Sequence, residues 1–189
     1  MAIHKYLRKA YASKESKELY KERMIQWRRE PVTVRTYRPL RLDRARAVGY
    51  KAQEGFVVVR QRVNRGGHMR PQLTGGRRTA HSHRNKNLAI SYQSIAERRA
   101  QAKYENLTVL NSYLLCKDGQ RYWYEIILIN PTHPNIIRSD KIGAARKKGR
   151  VERGLTRAGR RNRGQAKKSN DKAFPSKRAI HRRRYNRKK

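Results

Sequence analysis

The chain has 189 residues, of which 36% are hydrophobic and 33% charged, against ~45–50% and ~25% in an average globular protein. Its 50 Lys and Arg face 13 Asp and Glu, for a formal net charge of +37, and self-repulsion on that scale opposes a compact state with no polyanion nearby. There is apolar sequence for one small core and not for two, and the single cysteine, Cys116, excludes an intrachain disulfide or a multi-cysteine zinc cluster, as suits an intracellular chain.

In chain order, residues 3–29 read as helix with a break near Ser13. Tyr20, Met24 and Trp27 share one helix face, and Glu15, Glu18 and Glu22 lie among Lys and Arg at supportive spacings. Pro31 ends the helix, and Trp27 is expected to dock on the core. Residues 32–40 look extended. A helix of barely two turns follows, with Asp43 as its expected N-cap and Gly49 just past its end. Residues 55–63 alternate as a strand, with Val57, Val59 and Val63 on a core face and Arg60 and Arg62 on a cationic one.

Residues 64–87 have no periodicity. They carry two Gly-Gly pairs and one proline, and they are too long for an ordinary loop, so they are either disordered alone or ordered by a partner. Ser94 and Glu97 have the spacing of a capping box opening a helix to about Tyr104. Residues 107–116 and 121–129 are β-rich, joined at Asp118-Gly119, a dipeptide suited to a tight hairpin with positive φ. The second run is apolar on both faces: Tyr122, Tyr124, Ile126 and Leu128 on one, Trp123, Ile127 and Ile129 on the other. It therefore reads as a central strand. Beyond Arg138 the large aliphatic or Phe side chains are Ile142, Val151, Leu155, Phe174 and Ile180. These are too few to offset backbone ordering at ~1–2 kcal/mol per residue. Short helices are expected at 155–163 and 176–184, within a tail that only a partner orders.

These elements predict an α+β fold: a small mixed sheet of about three strands packed by helices, with long basic RNA-binding extensions. Residues 1–49 form a helical and basic segment docking on the core. Residues 50–137 form that core, with the basic loop 64–87, and 138–189 form a basic extension ordered by RNA.

The charge is segregated. Residues 1–90 hold 23 basic and 6 acidic residues, 91–137 hold 5 and 4, and 138–189 hold 22 and 3. The arms lack the acids that would consume this charge internally, and the pI of 11.4 exceeds the ~9 that flags nucleic-acid binding. Arginine predominates over 32–87, and guanidinium binds phosphate bidentately and stacks on bases. Glycines adjoin the basic residues, which lets backbone amides approach phosphate. Candidate RNA-binding residues on this reasoning include Arg35, His68, Arg77, Arg78, Arg84, Lys86, Lys167 and Lys168. No helix-turn-helix, zinc-finger or basic-zipper pattern appears, which favours irregular folded RNA over duplex DNA.

Other functions find little support in the residues. His81 and His83 alternate but have no carboxylate or cysteine nearby, so no metal site is expected. No phosphate-binding Gly-rich loop, His-Glu helical pair or Gly-x-Ser-x-Gly elbow is present, so neither catalysis, a cofactor nor a small-molecule substrate is expected. Glu125, in a strand, is expected to pair with an arginine, and Cys116 to serve as a small hydrophobe. The N-terminal residues MAIHKYLRKAYASKES hold no run of signal-peptide length, and no stretch has the ~18 uninterrupted apolar residues of a membrane span.

Four stretches carry a family resemblance: RPLRLDRARAVGYKAQEGFVVVRQRVNRGGHMRP (38–71), AERRAQAKYENLTVLNSY (96–113), YEIILINPTHPNI (124–136) and RGLTRAGRRNRG (153–164). In collinear order they resemble the L-fifteen-e family of large-subunit ribosomal proteins, the archaeal and eukaryotic type. Residues 72–92 follow no pattern of that family, and 138–152 lack the tryptophan expected there. The resemblance implies a structural, non-enzymatic constituent of the large subunit. It would be cytoplasmic and ribosome-bound, with large-subunit ribosomal RNA and neighbouring ribosomal proteins as partners and no membrane. Carried over by position, it places RNA contacts on Arg38, Arg41, Arg44, Arg46, Lys51, Arg60, Arg62, Arg65 and Arg70. Further contacts fall on Arg157, Arg160, Arg161 and Arg163. A nucleoid-type protein that condenses nucleic acid is the alternative: it would share the charge but need no two-faced central strand.

Overall fold

The computed structural model of the chain describes residues 2–76, 85, 86, 88 and 90–163. Strand β6 (Arg121–Ile129) is the axis of the core. Its alternation places Tyr124, Ile126 and Leu128 against one apolar layer and Trp123, Ile127 and Ile129 against others on the opposite face. It lies between β2 (Phe56–Asn64) and β5 (Thr108–Lys117), and β1 (Thr33–Thr36) completes the order β1-β2-β6-β5. Every pairing in this sheet is antiparallel. The sheet therefore has one strand more than the sequence suggested and is not mixed. The extended run after Pro31 pairs with β2 from Thr33↔Gln61 to Thr36↔Val58, and Pro39 falls beyond this edge ladder, where its missing amide does no harm. Within 64–87, His68–Met69 (β3) pairs with Asn85–Lys86 (β4) as a separate two-stranded ribbon.

Helices cover both faces. Helices α1 (Ala2–Ala12) and α2 (Lys14–Arg29) meet at Ser13, whose hydroxyl accepts from the Ser16 amide at 3.2 Å. Trp27 of α2 is buried against Trp123, ring centroids 6.2 Å apart, as the sequence indicated. Helix α2 thereby covers the face of β2 that was expected to be a cationic surface. The opposite face carries α4 (Tyr92–Lys103), which sinks Ala96 and Ala100 among Val59, Val109 and Ile126.

Three local expectations are corrected. The N-cap of α4 is Ser91, which accepts from the Ser94 amide at 3.3 Å, so the helix begins one turn before the expected box. Helix α3 (Leu42–Ala47) has Arg41 at its cap position, and Asp43 sits inside the first turn because the Arg41 guanidinium holds its carboxylate at 2.8 Å. At the Asp118-Gly119 hairpin no residue takes positive φ. The Asp118 carboxylate instead accepts from the Gln120 and Arg121 amides, closing the turn as an Asx-type bend. Gly49 does end α3 as expected, at φ +103°.

Residues 138–163 lie against the sheet rather than leading away from it. After α5 (Pro134–Ile137) a 3-10 turn (Asp140–Ala145) buries Ile142 and Ala145 beside Ile127 and Ile129. Val151 joins the α4 layer. The chain then forms α6 (Arg157–Asn162), inside the expected helical stretch 155–163. Side chains from three segments take carbonyls along β5: Arg150 donates to Leu110 at 2.7 Å, Gln93 to Ser112 at 3.0 Å and Arg44 to Leu114 at 2.6 Å.

Candidate nucleic-acid interface

Helix α6 is held by a buried network. Thr156, its N-cap, accepts from the Gly159 amide at 3.1 Å and donates to the Glu97 carboxylate at 2.6 Å. Ser112 donates to the other carboxylate oxygen of Glu97. Burial raises the Glu97 pKa above its ordinary range, against the opposing effect of these two hydroxyls and of Arg150. Packing is closest at Gly159: a Cβ there would lie 2.6 Å from the Gly154 Cα. A helix pressed this tightly buries Ala158 and Gly159 and presents Arg157, Arg160 and Arg161 to solvent.

That placement brings α6 beside α3. Arg44, Arg157 and Arg161, with Gln93, Ser112 and Tyr113, line a groove of about 270 Å³. Like charges are crowded here. Burial, then the adjacent Arg41, lowers the proton affinity of Arg44, and burial, then Arg160, lowers that of Arg150. A neighbouring groove of about 780 Å³ shares Gln93, Leu114 and Arg161 with the first and is lined by Tyr92, Tyr122 and Tyr124. The three rings stack in series at 5.0 and 6.1 Å, and the Arg65 guanidinium lies 5.2 Å from the Tyr122 centroid. A third groove, of about 980 Å³, gathers Arg35, Arg38 and Arg46 around Tyr11, Tyr37 and Tyr50.

Several predicted contact residues are engaged within the protein. Arg60 is only 8% exposed, ion-paired with Glu30 and 4.4 Å above the Trp27 ring. Arg62 donates to the carbonyls of Trp27 and Arg28 at 3.2 and 2.7 Å, which caps the C-terminus of α2. Arg41 pairs with Asp43 and covers the Tyr11 ring at 5.0 Å, and Arg65 donates to the carbonyls of Asp118 and Gly119. Arg163, exposed, donates to the Arg153 carbonyl at 2.9 Å. Lys51, His68, Arg70 and Lys86 are exposed, outside the three grooves. Arg77, Arg78, Arg84, Lys167 and Lys168 lie outside the described residues, as do His81, His83 and the helix expected at 176–184.

Glu125 is buried without the expected arginine pair. It accepts from the Tyr113 hydroxyl and, at 3.0 Å, from the Leu40 amide, while the nearby Arg60 guanidinium goes to Glu30. Burial pushes its carboxyl pKa up, opposed by these hydrogen bonds and by the charge of Arg60. Cys116 is half-buried, and burial pushes its thiol up to about 12, which suits an unreactive apolar side chain. Sequence reasoning missed Tyr37, Tyr92 and Gln93 as groove residues. For Tyr37 the signal was present, an aromatic set between Arg35 and Arg38. Gln93 and Tyr92 join the grooves only through tertiary packing.

Comparison with known proteins bears on this geometry. The family model described as Ribosomal L15 matches residues 2–180. The large ribosomal subunit protein eL15 of Methanocella arvoryzae is 44% identical over 192 aligned positions, covering 96% of this chain and 97% of its own. The protein of the same name from Methanospirillum hungatei is 46% identical over 187 positions, covering 94% of this chain and 95% of its own. These matches extend over nearly the whole chain, and the chain belongs to the Ribosomal L15e family.

Proposed function

We propose that the protein is a structural constituent of the large ribosomal subunit, binding and stabilising folded ribosomal RNA through Arg and Lys contacts to phosphate. The observation that carries this reading is the convergence of Arg44 from α3 with Arg157 and Arg161 from α6 on one groove. These residues are far apart in sequence, and the fold holds them together against their repulsion. A polyanion entering the groove relieves that repulsion and releases its own counterions. The basic segment 64–87 and the chain beyond 163 act as extensions whose final order comes from RNA, and the packing of 138–163 on the sheet sets where the second one departs. Neighbouring ribosomal proteins complete the surroundings, on cytoplasmic ribosomes. The protein turns over no substrate.

The reading is tested by sedimentation. The protein is expected to travel with large ribosomal subunits at moderate salt and to leave only at very high salt. A protein that purifies free, and binds linear duplex DNA as tightly as ribosomal RNA, is instead a nucleoid-type condensing protein.

A further inference from the structure

We propose that Tyr37 and the groove beside it form a binding site for one unpaired RNA nucleotide, the base stacking on the Tyr37 ring and its phosphates lying against Arg35, Arg38 and Arg46. The inference rests on the RNA-binding reading above and assigns a specific contact within it.

Tyr37 is 91% exposed, the most exposed of the large hydrophobic side chains of the described residues. The fold makes no use of the ring, yet the backbone that carries it is fixed on both sides. Upstream, Thr36 is in register with Val58 in the β1–β2 ladder. Downstream, the Leu40 amide donates to the buried Glu125 carboxylate at 3.0 Å. Between them Pro39 restricts the backbone of Arg38. The backbone that presents the ring is thus already held, so a ligand that stacks there need not order the chain first.

The surroundings specify the ligand. The Arg38 guanidinium lies 5.4 Å from the ring centroid. Arg35, Arg38 and Arg46 line the groove together with Tyr50 and Phe56, which meet edge to face at 5.9 Å. Glu54 is the one carboxylate in the lining, so the three guanidinium groups leave positive charge in excess there. The volume of about 980 Å³ is ample for a nucleotide. An exposed ring set among guanidinium groups is the arrangement by which proteins hold unpaired bases: the π-face takes the base and the cations track the backbone. Duplex RNA keeps its bases stacked on one another and offers none to Tyr37.

Two synthetic RNAs with equal numbers of phosphates separate the possibilities. One is a hairpin with an unpaired loop containing 2-aminopurine, and the other is a blunt duplex. The full-length protein is compared with Tyr37→Phe and Tyr37→Ala. Tyr37→Ala is expected to weaken hairpin binding about ten-fold or more, in keeping with measured base–aromatic stacking. It is expected to leave duplex affinity and the salt dependence of both unchanged, and to abolish quenching of the 2-aminopurine. Tyr37→Phe is expected to retain hairpin affinity and quenching. The ring is exposed, so thermal melts of both variants should match the parent. Equal affinities for the parent and Tyr37→Ala, or equal losses on hairpin and duplex, overturn the stacking site while leaving the RNA-binding reading intact; the ring would then face a protein neighbour or solvent. Failure of the parent protein to bind either RNA overturns both.

Discussion

Glu97 is a carboxyl group shut away from water and supported by two hydroxyls. Its pKa in the folded protein is raised above the ordinary 4.5, chiefly by burial, while in the unfolded chain it titrates normally. Its favourable contribution is therefore whole below about 4.5 and is lost as pH rises through the raised folded value. Glu97→Gln has no such titration. Measured by urea unfolding at a series of pH values, the variant should gain on the parent across that window and hold a constant difference above it. Parallel profiles for the two proteins would show that Glu97 titrates as an exposed carboxylate does. Sequence gave Glu97 a different role because Ser94 and Glu97 have the spacing of a capping box. Ser91 and Ser94 offer the same helix an earlier start, and the hydroxyls that bury Glu97 come from Ser112 and Thr156, which no local spacing reveals. The valines of β2 and the two faces of β6, by contrast, were legible, because strand periodicity is itself the record of burial.

At the level of elements, α6 shows how a short, polar helix can be fixed in place. Replacing glycine by alanine inside a free helix stabilises it by about 0.5–1 kcal/mol. For Gly159→Ala the opposite sign is expected. The added Cβ would stand 2.6 Å from the Gly154 Cα, backbone that cannot give way, and Gly154 itself sits at φ +65°. Thermal or chemical unfolding should show a loss of about 1–3 kcal/mol, the usual cost of overpacking. A neutral or stabilising result would mean that α6 does not rest on Gly154. This close seat explains why 138–163 looked from sequence like a tail. Few large apolar side chains were visible there, whereas its attachment runs through small residues, a buried threonine and the Arg150 guanidinium. A helix within 155–163 was expected from sequence, and the structure starts it at Arg157 because Thr156 caps it.

For the whole molecule, charge dictates behaviour, and composition displayed it at once. What composition could not show is which cations remain available. Arg60 and Arg62 alternate with valines as if on an open face, yet α2 lies over them. Arg160 and Arg161 are exposed on α6. Replacing both by alanine should weaken binding to ribosomal RNA and reduce the slope of log affinity against log salt by about two, roughly one per lost phosphate contact. The unfolding transition should stay where it is. An unchanged slope, measured by titration at several salt concentrations, would remove these two residues from the interface.

Along β5, an edge strand, the carbonyls of Leu110, Ser112 and Leu114 are already occupied by Arg150, Gln93 and Arg44. A strand from another molecule finds few acceptors left to dock on. Extension of the sheet by a second copy is thus disfavoured along β5. The guanidinium groups of Arg44 and Arg150 screen an open sheet edge from its own copies.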